Sequence, residues 1–201
     1  MMALLWTGLG FLLGAMPFSY WLGRLVLHTD IRRYGDGNPG GANAWRAGGW
    51  RVGLPASLLD YLKGAAPVGL AHFNCDCSGW ELVPVALAPV LGHAFSPFLG
   101  LRGGKALAVT FGIWTGLTLG EGPIMLGVFF GLFFLLQTVD AWAVVLGMLG
   151  LLAHLLLRQA DFPTLAIWGG NAMVLTWKHR HDLRQPSRLR SWISNLLRRN
   201  R

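Results

Sequence analysis

The chain has 201 residues, 53% of them hydrophobic and 13% charged, with a mean hydropathy of +0.46 and ten Trp. That charged fraction is about half the ~25% typical of a soluble domain, which excludes an ordinary water-soluble fold and points to an integral membrane protein. The net charge of +8 invites nucleic acid as a partner, but its distribution along the chain argues instead for membrane orientation.

Apolar runs occupy roughly 3–22, 52–73, 82–99, 106–119, 123–137, 141–157 and 162–177. These predict about seven transmembrane helices in an all-α, single-domain membrane protein covering 1–201. Several runs are shorter than the ~20 residues that cross a ~30 Å hydrocarbon core, so their true ends must include flanking residues. The first run lacks a basic leader and a small-x-small cleavage site and is expected to be retained. Between it and the second lies Asp30-Ile-Arg-Arg-Tyr-Gly-Asp-Gly-Asn-Pro-Gly-Gly-Ala-Asn-Ala-Trp-Arg46. Its glycines let backbone N–H groups converge on one ligand, and Arg32, Arg33 and Arg46 add positive charge, as an anion site requires. The second run carries Asp60 and Lys63, three residues apart and so on one helical face, where they are expected to pair inside the bundle.

Alternating the spans puts 23–51, 100–105, 138–140 and the C-terminal tail on one side and 74–81, 120–122 and 158–161 on the other. With Lys63 assigned to its nearer loop, all of the 17 Lys and Arg except Arg158 fall on the first side. The positive-inside rule makes that side cytoplasmic, the N-terminus external and the C-terminus internal. The tail, 180–201, reads as a basic cytoplasmic segment in which Arg184, Arg188, Arg190, Arg198, Arg199 and Arg201 surround Trp192, Ile193, Leu196 and Leu197. That is the pattern of an amphipathic helix on anionic lipid. Cys75 and Cys77 fall in an external loop without further ligands nearby, so no metal is expected. His154, alone in an apolar span, reads as structural.

Four polar clusters then share the cytoplasmic face: the opening loop, Asp60 to Gly64, Gly92-His93 through Gly103-Gly104-Lys105, and Lys178-His-Arg-His-Asp182. Gly-Gly-Lys before a helix resembles part of a phosphate-binding loop but lacks the Walker spacing and a preceding strand, which excludes a nucleotide hydrolase. A small phosphorylated substrate is the expected ligand.

These blocks together resemble the bacterial acyl-phosphate:glycerol-3-phosphate acyltransferase family of the PlsY type. The matching text is Gly14 through Pro17, Asp30-Ile31-Arg32, Gly35, Gly37-Asn38, Gly40, Asn43, Arg46, Asp60, Lys63-Gly64, Gly92-His93 with Phe95, Gly103-Gly104-Lys105 and His179-Arg180. The resemblance implies transfer of a fatty acyl group from acyl phosphate to glycerol 3-phosphate, giving lysophosphatidic acid for phospholipid synthesis in the bacterial inner membrane, without a cofactor. It implies that Arg46 and Lys105 hold phosphate. Gly35, Gly37, Asn38, Gly40, Asn43, Gly103 and Gly104 would supply backbone and amide contacts, while His93 and His179 would position substrate or move a proton.

The chain departs from the family pattern where Asp36 replaces a serine, Ala42 a threonine, Ala106 a glycine and Asp182 an asparagine, and its later Gly-x-Glu element is not evident. A carboxylate about 4 Å from a phosphate charge costs roughly 4 kcal/mol at an effective dielectric of about 20. Asp36 and Asp182 are therefore expected to be neutralised by a cation, to point away, to serve as a general base, or to mark a different polar acceptor. Alternatives from other classes are a non-catalytic lipid-binding protein and a small transporter, the latter disfavoured because charge gathers at one face rather than at the midplane.

Overall fold

In a computed structural model, residues 1–193 are described, and those residues form helices and turns with one isolated bridge, Gln137 to Leu189. The helices are α1 (Met2–Ala15), α2 (Phe18–Val26), α3 (Gly41–Gly69), α4 (Leu82–Ala94), α5 (Leu107–Thr118), α6 (Glu121–Leu136), α7 (Asp140–Leu157) and α8 (Phe162–His179). Seven of them coincide with the seven apolar runs, and α2 is additional. Leu4, Leu5, Leu9 and Leu12 on α1, Leu132 and Leu135 on α6, and Leu156 and Met173 on α7 and α8 are all exposed. An apolar surface spread this widely is a lipid-facing one. The expected amphipathic helix around Trp192 to Leu197 lies largely outside the described residues.

The first run does not form one straight helix. Pro17 lacks an N–H and restricts Met16, whose backbone is extended (φ −62°, ψ 118°), so α1 stops and α2 starts anew. The carbonyls freed at the break are recovered by side chains from distant elements: Ser96 Oγ donates to Ala15 O at 2.5 Å and Lys63 Nζ to Met16 O at 2.8 Å. Inside a bilayer such groups cannot turn to water, so this capping is obligatory.

Small residues set the closest helix crossings. A Cβ on Gly14 of α1 would fall 2.3 Å from Pro89 O, and one on Gly92 of α4 would fall 2.3 Å from Phe11 O. The α3 and α5 pair repeats the arrangement, with Gly112 facing Tyr61 O at 2.1 Å in the same construction. Backbone-to-backbone approach of this kind supplies dispersion where lipid offers no hydrophobic drive. Asp60 and Lys63 do pair, at 2.7 Å with both side chains 2% exposed.

The loop entering α3 is anchored before it reaches the site. Asp30 accepts from the Arg32 backbone and guanidinium (Nη2 to Oδ2, 2.7 Å) and from Arg24 Nη2 at 3.3 Å, while Arg32 stacks over the Tyr20 ring. The Arg32 hydrogen bonds outweigh the cost of burial and bring the Asp30 pKa down to about 2. A depressed carboxylate stabilises the fold above its ordinary pKa of 3.8 and stops doing so as pH falls through about 2. Asp30→Asn is therefore expected to unfold at a lower temperature than the parent at neutral pH, with the difference shrinking across that acid window in a pH series of melts.

Helix α3 breaks at Gly49 (φ 60°, ψ −155°), a backbone region open essentially only to glycine. The break lets the first two turns fold over the longer part. Trp45 lies against Gly53 and donates from Nε1 to Ser57 Oγ at 3.2 Å. This turns the α3 N-terminus toward α5.

Candidate active site

The glycine-rich loop is shaped by its own side chains. Asp36 Oδ1 accepts from Asn38 N at 3.2 Å, and Asn38 Oδ1 accepts from Gly40 N at 3.0 Å, giving two successive Asx turns that deliver the chain to α3. Asn43, fully buried, donates from Nδ2 to Asp36 Oδ1 (3.0 Å) and Asn38 O (2.9 Å), and its Oδ1 accepts from Arg46 Nη1 at 2.8 Å. Gly35 has φ +53°, and a Cβ there would meet Arg46 Nη1 at 2.2 Å. Here glycine is required both for conformation and for space.

The second wall is the Gly103-Gly104-Lys105 segment, which lies on the end of α4. Gly104 N donates to His93 O at 3.1 Å, and Lys178 Nζ of α8 donates to both Ala94 O and Gly103 O at 2.9 Å. A Cβ on Gly103 would fall 1.9 Å from His93 O, and one on Gly104 would fall 2.1 Å from His93 Nε2. Gly104→Ala is thus expected to destabilise the protein by about 1–3 kcal/mol through overpacking. A detergent-phase unfolding titration would detect it, and a wild-type midpoint would contradict the stated contact.

Lys105 joins the walls. Its Nζ lies 2.7 Å from Asp36 Oδ2 and 2.6 Å from Asp182 Oδ2, bringing together three segments far apart in sequence. Burial lowers the Lys105 pKa, but the hydrogen bonds and charges of Asp182 and Asp36 more than compensate and leave it raised. For Asp36, burial acts upward and is outweighed by Lys105, Asn38 and Asn43, leaving the carboxyl below its ordinary range. The lysine is a firmly held cation, and Asp36 is correspondingly weakened as a proton acceptor.

Two spaces meet at this ion cluster. The inner cavity, about 190 Å³, is lined by Asp36, Asn38, Ser57, Asp60, His93 and Lys105 with the first residues of α3 and α5. At roughly 30 Å³ per water it has room for about six, suiting a small polar molecule rather than a lipid. Two helix N-termini open on it, and their unpaired N–H groups favour an anion. In its wall, Asp60 accepts from Ser19 Oγ at 2.6 Å, and His93 Nδ1 lies 3.8 Å from Asp60 Oδ1. The outer basin, about 570 Å³, is lined by Asp36, Arg102, Lys105, Lys178, Arg180, His181 and Asp182 among others. A separate apolar groove of about 570 Å³ runs between α7 and α8 past Met148, Trp168, Gly169, Ala172 and Met173, and it reaches Trp177 and Arg180, which also line the basin.

The family model for glycerol-3-phosphate acyltransferases matches residues 4–188. The chain belongs to that family. It is 40% identical to glycerol-3-phosphate acyltransferase 1 of Thermotoga maritima over 189 residues, covering 87% of this chain and 93% of the relative. The Synechococcus sp. (strain CC9902) glycerol-3-phosphate acyltransferase is 34% identical over 181 residues, 90% of each chain. Among solved structures, the glycerol 3-phosphate form of the integral membrane protein PlsY superposes with a TM-score of 0.83 at 24% identity, covering 96% of this chain and 98% of that one. The lysophosphatidic acid form of PlsY gives 0.79 at 25% identity over 90% of each. The helical membrane fold is therefore the family's, and this multi-pass protein is a member of an acyltransferase family.

Of the residues singled out in the sequence, the structure gathers Asp36, Lys105 and Asp182 into one ion cluster. Gly35, Gly37, Asn38, Gly40 and Asn43 form one loop, and His93 stands against Gly103 and Gly104. Arg46 and His179 stand apart from both polar spaces. The Arg46 guanidinium is engaged by Asn43 at the loop's outer edge. Buried His179 directs Nδ1 at Leu175 O, 2.8 Å away. Ser57 enters the lining without having been singled out, while Arg102, Lys178 and Arg180 belong to the polar clusters read from the sequence.

Proposed function

We propose that this protein is a glycerol-3-phosphate acyltransferase using acyl phosphate as donor. The observation that carries the reading is the junction at Lys105 and Arg180. A cation-lined polar site with room for a small anion opens, through Trp177 and Arg180, onto an apolar groove facing lipid. Two phosphates and one hydrocarbon tail need that combination. Acyl phosphate is already activated, so the protein mainly orients two anions and stabilises charge on the carbonyl oxygen. The acceptor hydroxyl oxygen bonds to the carbonyl carbon, the bond from that carbon to the phosphate oxygen breaks, and phosphate leaves with the electron pair. The hydroxyl proton passes to the departing phosphate or to His93, which lines the inner cavity.

In this assignment Lys105 holds phosphate, with backbone contacts from Gly35, Gly37, Asn38, Gly40, Gly103 and Gly104. Asn43 and Arg46 keep the loop in shape, and His179 supports the wall behind Asp182. Asp36 and Asp182 orient Lys105 rather than act as the base. The site faces the cytoplasm, with the N-terminus outside, in a bacterial inner membrane. The distribution of Lys and Arg supports that orientation, as all but Arg158 belong to one side. Residues 1–201 act as a single membrane domain with a basic tail from about residue 180.

Incubating the purified protein with acyl phosphate and glycerol 3-phosphate is expected to release lysophosphatidic acid and inorganic phosphate. Absence of product with this acceptor, together with product from another polyol, would replace glycerol 3-phosphate as the acceptor. The groove gives a further expectation. Gly169 lines the groove and a Cβ there meets open space, so the side chain of Gly169→Leu starts into the groove and narrows it. The variant is expected to shift donor preference toward shorter acyl chains, read as relative kcat/KM for donors of graded length.

A further inference from the structure

We infer that Asp182 sets the affinity of this site for phosphate-bearing substrates, as a releasable carboxylate occupying the place on Lys105 that a phosphoryl oxygen would take. The inference rests on Lys105 being the phosphate anchor.

The two carboxylates on Lys105 are held differently. Asp36 is fixed at both oxygens: Oδ2 meets Lys105, while Oδ1 accepts from Asn38 N and from Asn43 Nδ2, itself buried and tied to Asn38 O. Among the described residues, the Asp182 side chain is held only through Oδ2, on Lys105. It sits on a single helical turn, Asp182–Arg184, beyond the end of α8, and since the two side chains are equally exposed (39% and 37%) the bonding alone sets them apart. Moving Asp36 would dismantle the loop, whereas moving Asp182 breaks one ion pair at the surface.

The position of the cluster makes this matter. Lys105 and Asp36 line both the inner cavity and the outer basin, and Asp182 lines the basin alone. An anion arriving from the basin therefore meets Lys105 on the side that Asp182 covers. The other basin cations are Arg102, exposed and without a side-chain partner among the described residues, Arg180, which stacks on Trp177 at 4.6 Å, and Lys178, committed to two carbonyls. Lys105 is thus the cation at the junction, and its charge is already more than balanced by two carboxylates. Two of the three ammonium N–H donors are taken, so a phosphate that engages more than the remaining one displaces Asp182, then sits beside Asp36. The exchange makes binding weaker than a free lysine would give. It also leaves the lysine charge masked toward passing anions that cannot make further contacts.

The test is isothermal titration of the intact protein in detergent with inorganic phosphate and, separately, with glycerol 3-phosphate. Acyl transfer is measured on the same preparations. Removing a unit charge beside the bound phosphate in Asp182→Ala is expected to tighten both dissociation constants about tenfold, well inside the limit of a close charge pair. Asp182→Asn is expected to behave alike, and Asp182→Glu, which restores the carboxylate, is expected to return both constants toward the parent. Unchanged or weaker binding in Asp182→Ala, tightening that Asp182→Glu retains, or no binding to any variant overturns the inference. Transfer with unchanged affinity sinks the exchange and leaves the acyltransferase standing. Tightened phosphate binding without transfer in the parent sinks the acyltransferase instead.

Discussion

Lys63→Ala is expected to destabilise the folded protein by about 3–5 kcal/mol, the cost of stranding a buried charge. The Asp60 residue is 1% exposed and its carboxylate meets the Lys63 ammonium at 2.7 Å; Ser19 donates to Oδ2, and His93 Nδ1 stands 3.8 Å from Oδ1. Truncating Lys63 removes the counter-charge from a carboxylate that is almost wholly buried. The same change removes one of two donors from Met16 O at the Pro17 break, leaving the Phe18 N–H at 3.1 Å. The double replacement Asp60→Asn with Lys63→Met is expected to recover much of the loss, because a pair removed together leaves no orphan. Chemical unfolding in detergent would measure both. A single variant as stable as the parent would mean that the pair is not holding the bundle.

Lys105→Ala is expected to reduce kcat/KM for acyl transfer by roughly 10²–10³, the usual cost of losing one donor aimed at developing or transferred charge. Two effects act together. The cation that meets the substrate phosphate is gone, and Asp36 and Asp182, which now converge on one ammonium at 2.7 and 2.6 Å, are left as facing like charges. The second effect separates Lys105 from an ordinary surface lysine, since neutralising both carboxylates in a Lys105→Ala background should restore phosphate binding in part. Arginine at 105 is expected to rescue incompletely, because its planar fork does not place one compact charge between two carboxylates. Steady-state kinetics on the three variants would decide. Turnover within a factor of about three of the parent for Lys105→Ala would remove Lys105 from the site.

The membrane class, seven of the eight α-helices and the convergence of four polar clusters were legible because each depends on hydrophobic run length and charge placement. The Asp60 and Lys63 pair was legible from helical spacing alone. Helix α2 was hidden inside a run that reads as continuous, since the Met16-Pro17 break shows in the sequence only as one proline among apolar residues. The polar stretch 23–51, taken as loop, contains the end of α2 and the folded-back start of α3, because a glycine at 49 carries a turn no pattern announces. His154 reads as structural from its place in an apolar span, but its partner does not show there. The histidine bonds Glu121 Oε1 at 2.9 Å beside Arg158, a pairing 33 residues distant that periodicity cannot reveal. In the site, types were legible and partners were not. Asp36 and Asp182 stood out as unwanted charges beside phosphate, and among the outcomes open to them the structure selects neutralisation by Lys105. The carbonyl-binding task of Lys178 depends on where α4 ends and had no trace in composition.

The capped break at Met16 and Pro17 bears on how the chain is made. Ala15 O is satisfied by Ser96 and Met16 O by Lys63, so the first helix acquires its last donors from the second and third spans. A nascent chain that has not yet delivered residue 96 to the membrane carries a bare carbonyl at the bottom of its first helix. The N-terminal three spans are therefore expected to come together as one insertion unit, with Asp60 and His93 brought into register before the Lys105 segment emerges. Biogenesis would thus build the back wall of the inner cavity first and add the charged entrance last.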